Sequence, residues 1–261
     1  MPAPRDWTRT AGRLDPVKTS APSSSIEDYV KVIYSFTEWQ DKPITSSQLA
    51  QRLGVANSSV SEMVRKLKDQ GLVDHKPYSA IRLTDAGLRL ALAMVRRHRL
   101  IETYLVQQLG YSWDEVHDEA ELLEHAVSDT FIERVAAKLG NPRRDPHGDP
   151  IPTADGKVLM PRAHLMGELD EGHTGRITRI SDDNPDLLRY LAAEEIDLDA
   201  EVEVMGRRPF GGALVVRVRN AGRTRDYDLA EEVTSALWVH SDHPHPGCVL
   251  ADAGLPKAGA G

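Results

Sequence analysis

Apolar residues recur along the first half of the chain with the period of amphipathic helices. Tyr29, Val30, Val32, Ile33 and Phe36 share one such pattern, with Ser24 or Ser25 placed to cap it and Asp41-Lys42-Pro43 to stop it. Leu49, Ala50 and Leu53 mark a second helix, opened by Thr45 or Ser46 and closed by Gly54. Val60, Met63, Val64 and Leu67 mark a third, capped from Ala56-Asn57-Ser58-Ser59 and ended by Gln70-Gly71. Leu72-Val73 and Ile81-Arg82-Leu83-Thr84 then read as two short strands of a hairpin. Helix, helix-turn-helix and hairpin in that order predict a winged helix-turn-helix, whose third helix enters the major groove of DNA.

A long helix follows over 85–108, capped by Thr84, and two shorter ones over 118–126 and 128–139. The last two carry more apolar positions than a winged domain can cover, which predicts packing against a second copy of the chain. A homodimer also suits a palindromic operator. Beyond a proline-rich stretch, β-branched runs at 174–180, 201–205 and 214–218 surround one helical segment, 185–193. Short strands at this density predict a small β-barrel. The fold class is therefore mainly α with β. Residues 1–24 read as a disordered arm, 25–90 as the DNA-binding domain, 91–141 as the dimerisation domain, 142–161 as a linker, 162–242 as the barrel and 243–261 as a flexible tail.

Composition narrows the function classes. Of 261 residues, 40% are hydrophobic and 28% charged, which describes a folding chain. No apolar run is long enough for a membrane span or a secretory signal, so the expected location is the cytoplasm, with no membrane partner. A single cysteine, Cys248, excludes an internal disulfide and a multi-cysteine zinc site, leaving His and carboxylates as metal ligands. The net charge of −8 conceals a contrast: residues 45–100 hold ten Lys/Arg against four Asp/Glu, and 101–141 hold two against nine. The first block suits phosphate and the second suits cations. Candidate DNA contacts are Asn57, Ser58, Ser59, Ser61, Glu62, Arg65 and Lys66 on the third helix, with Lys76 in the hairpin.

In the acidic block Glu121, Glu124 and His125 stand at i, i+3 and i+4, on one helical face. His98 and Glu102 stand at i and i+4 on the long helix. If the two faces meet, imidazole and carboxylate gather in one place. By spacing alone, two solvated faces with incidental histidines are the better reading.

Several motifs together carry a resemblance. Glu27-Asp28-Tyr29 with Ile33-Tyr34, the winged helix, Arg97-His98-Arg99-Leu100 with Glu102, His117-Asp118-Glu119-Ala120 through Glu124-His125, and Pro146-His147-Gly148-Asp149-Pro150-Ile151-Pro152 resemble the diphtheria toxin repressor family of metal-dependent transcriptional regulators. The resemblance is close over about 25–155, and the remainder is similar to that family's SH3-like domain. It implies a primary metal site of Asp28, Glu121, Glu124 and His125, and an ancillary site of His98, Glu102 and His117 completed from the SH3-like domain, with Asp183 and Asp186 as candidates. Carboxylates at the positions of Asp28 and Glu121, where iron-responsive members are similar but carry Met and Cys, point to Mn²⁺, with Fe²⁺ as the alternative. Lys31 stands where short manganese-responsive members carry a metal-bridging Glu, which argues against a close two-metal cluster. The function implied is a manganese-dependent repressor of metal-homeostasis genes, not an enzyme and without a small-molecule substrate. The rivals are an iron sensor of the same family, a metal-dependent hydrolase, and an architectural DNA-binding protein indifferent to metal.

Overall fold

The computed structural model describes residues 23–39, 43–76 and 79–241. The expected arm and tail therefore lie outside the described residues, apart from Ser23 and Ser24.

Helix α1 (Ser24–Glu38) starts after Ser23 and is followed by α2 (Ser46–Leu53) and α3 (Asn57–Asp69). Thr45 and Gln48 close a reciprocal capping box on α2, and Gly54 ends it in the left-handed conformation, φ 64°, that turns the chain into α3. Ala56 precedes α3 without a side-chain cap, so the capping expected from this stretch does not form. Strands β1 (Val73–Asp74) and β2 (Arg82–Leu83) pair antiparallel as the wing. Ile26, Val30, Ile33, Leu49, Val60, Val64, Leu67 and Ile81 form the core of this head.

Helix α4 (Asp85–Tyr104) is shorter than the expected 85–108, because the chain widens into a π-helical turn, Leu105–Leu109, that Gly110 terminates at φ 76°. Helices α5 (Val116–Glu124) and α6 (Asp129–Lys138) pack back on α4 around Leu100, Ile101, Val116, Ile132 and Val135. Leu122 and Phe131, on the outer faces of α5 and α6, remain exposed.

The remainder is a six-stranded antiparallel sheet in the order β3-β8-β4-β5-β6-β7. Its strands are β3 (His164–Leu165), β4 (Thr174–Ile180), β5 (Glu201–Arg207), β6 (Leu214–Asn220), β7 (Arg223–Leu229) and β8 (Leu237–Ser241). Helix α7 (Pro185–Ala193) and the short α8 (Glu231–Thr234) complete it. Leu188 and Leu191 of α7 close the core over Ile177, Ile180, Val202, Val216 and Val239.

Residues 142–161 contain no helix or strand, yet they are not a loose tether. Asp145, His147, Asp149 and Ile151 are buried. Asp145 accepts the backbone N–H groups of His147 and Asp149, both at 2.9 Å, which folds the loop on itself. Gly148, at φ 93°, lies so close to β4 that an added Cβ would stand 2.1 Å from the Thr178 carbonyl oxygen. The head also reaches this junction. Trp39, just past α1, donates its indole N–H to Asp149 (2.6 Å), and the Arg179 guanidinium of β4 lies over both Trp39 and Trp238 while donating to Asp149 (2.8 Å). Head, helical layer and sheet thus meet at one loop.

Candidate metal centre

Asp28 and Lys31 lie on one face of α1, and α5 presents Glu121 and Glu124 at its C-terminal end with His125 just beyond. Donor atoms of Asp28, Glu124 and His125 lie within 4.8 Å of one another. His125 Nε2 is 2.8 Å from Asp28 Oδ1, and Nδ1 is 2.8 Å from Glu27 Oε2. Glu27 thereby fixes the ring and leaves Nε2 as the nitrogen turned to the cluster, the arrangement that orients metal-binding imidazoles. Nothing in the spacing of α5 signalled Glu27.

Glu121 does not join this trio. Its half-exposed carboxylate turns to Lys31 Nζ (3.3 Å) and His117 Nε2 (3.7 Å). Lys31 is buried, and its ammonium also donates to Glu124 Oε1 at 2.5 Å. The resemblance implies four primary ligands; three of them have their donor atoms together here, and Glu121 stands apart, paired with Lys31.

A second group sits deeper. His98 Nδ1 donates to Glu124 Oε2 (2.6 Å) while Nε2 stands 3.0 Å from Glu102 Oε1. His117 Nδ1 is 3.3 Å from the same Glu102 oxygen and 3.1 Å from Asp182 Oδ2. Donor atoms of Glu102, Asp145 and His147 form a further buried trio around that carboxylate, again within 4.8 Å. The candidates Asp183 and Asp186 are elsewhere: Asp183 pairs with Arg52 of α2, and Asp186 pairs with Arg189 one turn along α7. The residue that reaches the cluster from the sheet domain is Asp182, one place earlier in the loop, so that its side chain points inward where Asp183 points to α2. Helix spacing gives no sign that Asp182, Asp145 and His147 stand beside this cluster, because they lie on irregular backbone, although the motif around His147 is visible in the sequence.

The electrostatics are those of a site built for cations. Burial depresses the basicity of His98, but Glu102 and Glu124 outweigh it and raise the pKa to about 9. Burial likewise opposes His117, and Asp182 and Glu102 raise it to about 11. Burial, with Asp149 and Glu102 adding like charge, pushes Asp145 up to about 8. Glu102 resists burial and is held well below the usual carboxylate range by His98 and His117. Both Glu102 oxygens and His147 Nδ1 are buried without a hydrogen-bond partner; the neighbouring imidazoles are near Glu102 in distance but not in hydrogen-bonding geometry. His147 Nε2 is engaged by the Trp113 carbonyl (2.7 Å), which leaves the Nδ1 lone pair free to ligate. Lone pairs left over in a buried pocket of imidazole and carboxylate fit a divalent ion.

The candidate DNA contacts line one surface. Asn57, Ser58, Ser59, Ser61, Glu62, Arg65 and Lys66 are all exposed on α3, and Lys76 is exposed in the wing. Ser61 Oγ donates to the Asn57 carbonyl at 2.9 Å.

Comparison with known proteins agrees with this layout. Residues 22–81 match the iron-dependent repressor N-terminal DNA-binding domain, 84–153 its metal-binding and dimerisation domain, and 164–240 the FeoA domain. The iron-dependent repressor IdeR of Mycobacterium tuberculosis is 36% identical over 126 residues, 48% of this chain and 54% of that protein, so the match spans about half of that relative's length. The diphtheria toxin repressor of Corynebacterium jeikeium is 30% identical over 195 residues, 70% of this chain and 81% of that protein. A solved manganese-dependent transcriptional repressor in complex with manganese superimposes with a TM-score of 0.78 at 52% identity, covering 83% of this chain and 99% of that one. No helix among the described residues is long and apolar enough to cross a membrane.

Proposed function

The chain belongs to the family of iron-dependent repressors and the diphtheria toxin repressor, DNA-binding metal-dependent transcriptional regulators and not enzymes, and from that premise we propose that it is a manganese-responsive repressor acting as a homodimer on a palindromic operator. The observation that carries the metal reading is the convergence of Asp28 from the DNA-binding head with Glu124 and His125 from the helical layer. These are the ligands of the primary site. A divalent cation supplies there a double positive charge that anionic and imidazole ligands from separate elements can share. Ligation by Asp28 of α1 together with Glu124 and His125 of the helical layer ties α1 to α5 and lowers the ordering cost of presenting α3 to DNA. His98, Glu102, His117 and Asp182, with Asp145 and His147 behind them, form the ancillary site and link α4, α5 and the sheet domain.

Manganese is favoured because every candidate ligand is oxygen or imidazole nitrogen, and a hard donor set without sulfur does not select the softer, later metals. Fe²⁺ is the second reading, supported by the same hard donor set; parallel titrations of Mn²⁺ and anaerobic Fe²⁺ against DNA binding separate the two. Exposed Leu122 and Phe131 on α5 and α6 support pairing of two copies through these helices. The test of the clasp is operator binding by Asp28→Ala and Glu124→Ala chains in saturating Mn²⁺. Both are expected to lose at least about tenfold in affinity, a coupling of the size usual between linked sites; wild-type binding by either one overturns the reading.

A further inference from the structure

The two clusters are separated by one side chain that neither of them uses. Lys31 rises from α1 between Asp28 and the outer end of α5, and its side chain is only 10% exposed. Its ammonium sits on Glu124 Oε1, the same oxygen that lies 3.5 Å from His125 Nε2 and so belongs to the primary trio. Its other partner is Glu121, the carboxylate that stands apart from that trio. Glu124 Oε2 is taken by His98. The one buried carboxylate of the primary site is thus fully engaged by two cations of the protein itself. An ion entering between Asp28, Glu124 and His125 needs the oxygen that Lys31 holds, and faces a positive charge fixed a few ångströms away.

We propose that Lys31 is an affinity-setting residue: a tethered cation that competes with the metal for Glu124 Oε1 and thereby raises the metal concentration at which the primary site fills. This rests on the clasp reading above. The competition follows from geometry, since one oxygen cannot give its best lone pair to both partners, and from charge, since an ammonium beside a divalent ion is repulsive at the low effective dielectric of a buried site. The same ammonium stabilises the metal-free form by neutralising Glu121 and Glu124, so both effects shift the equilibrium toward the metal-free state. A responsive regulator gains from this: metal must be abundant before the clasp closes.

The experiment measures Mn²⁺ binding by the loss of the free-ion electron paramagnetic resonance signal, in the full chain, with Lys31→Met, Lys31→Gln and Lys31→Arg variants. Lys31→Met and Lys31→Gln are expected to bind the primary-site ion more tightly by about tenfold or more, while Lys31→Arg stays near wild type because it keeps the charge. Circular dichroism identifies a variant that fails to fold, and the Gln form then reads for the Met form. Unchanged or weaker binding in a folded neutral variant overturns the proposal. An Asp28→Ala control separates the two ideas: if it binds as many ions as wild type, the clasp itself is wrong, whereas loss of one ion there with no gain in Lys31→Gln removes only the role of Lys31.

Discussion

The primary and ancillary clusters are made of the same two side-chain types, but they differ in what holds them. At the primary cluster Asp28 and His125 are partly open to solvent, with side chains 40% and 24% exposed, and only Glu124 is buried. At the ancillary cluster Glu102, His98, Asp145 and His147 are buried, His117 and Asp182 form a rim with side chains 39% and 23% exposed, and α4, α5 and the 145–147 loop converge on the Glu102 carboxylate. An open cluster between two elements can exchange its ion with solution at low structural cost. A buried one, wired into the junction of head, helices and sheet, carries stability as well as a ligand set. The difference predicts that the inner cluster contributes more than the outer one to the stability of the metal-free chain.

Glu102→Ala gives the largest break in that comparison. It removes the counter-charge of the buried His98 imidazole, with the partly exposed His117 beside it, and loss of one partner of a buried pair costs about 3–5 kcal/mol. Urea denaturation of the metal-free chain should show that loss; a change below about 1 kcal/mol would mean that the inner cluster does not support the fold.

The pH dependence is the next effect. His98 and His117, at about 9 and about 11, keep protons in the folded chain that the unfolded chain releases above about 6.5. The stability they contribute is complete below that value and is lost as pH rises through about 9 for His98 and about 11 for His117. Asp145, at about 8, has the same sign, because the folded chain holds a proton that an unfolded aspartate has already given up. The melting temperature in chelator should therefore fall between pH 6.5 and 9, by on the order of 5 °C. Stabilisation by added Mn²⁺ should grow over the same window as the imidazoles become available. A flat or rising melting curve in chelator contradicts the assignment.

The smallest effect belongs to the outer cluster. Asp28→Ala should cost the metal-free chain less than about 1 kcal/mol, since Asp28 and its partner His125 are both partly open to solvent and screened. The same substitution is the one expected to abolish the response to metal, so sensitivity and stability separate between the two clusters. An Asp28→Ala chain as destabilised as Glu102→Ala would erase the distinction.

What the sequence discloses follows the same division. The face of α3 and the nearness of Glu124 to His125 were legible because a helix converts spacing into position, whereas Glu121 turns to Lys31 and His117. Strand β7, Arg223–Leu229, was not legible: its alternation is of charged residues that pair across the sheet, as Asp226 does with Arg217 and Asp228 with Arg208, and offers no apolar period. Asp145, His147 and Asp182 lie on loops whose meeting is decided by packing, by the Gly148 approach to β4 above all. The register of a loop also explains why Asp182 reaches His117 and Asp183 does not. Lys31 was visible as a departure from the family pattern, but its hold on Glu124 appears only once α1 lies against α5.

The central claim is that a divalent ion clasps the DNA-binding head to the helical layer. The most direct test takes duplexes selected from a random pool by the purified chain in Mn²⁺ and measures their binding again after the metal is chelated. The account predicts that affinity falls by at least about tenfold in chelator and returns with added Mn²⁺; equal binding in both conditions would contradict it.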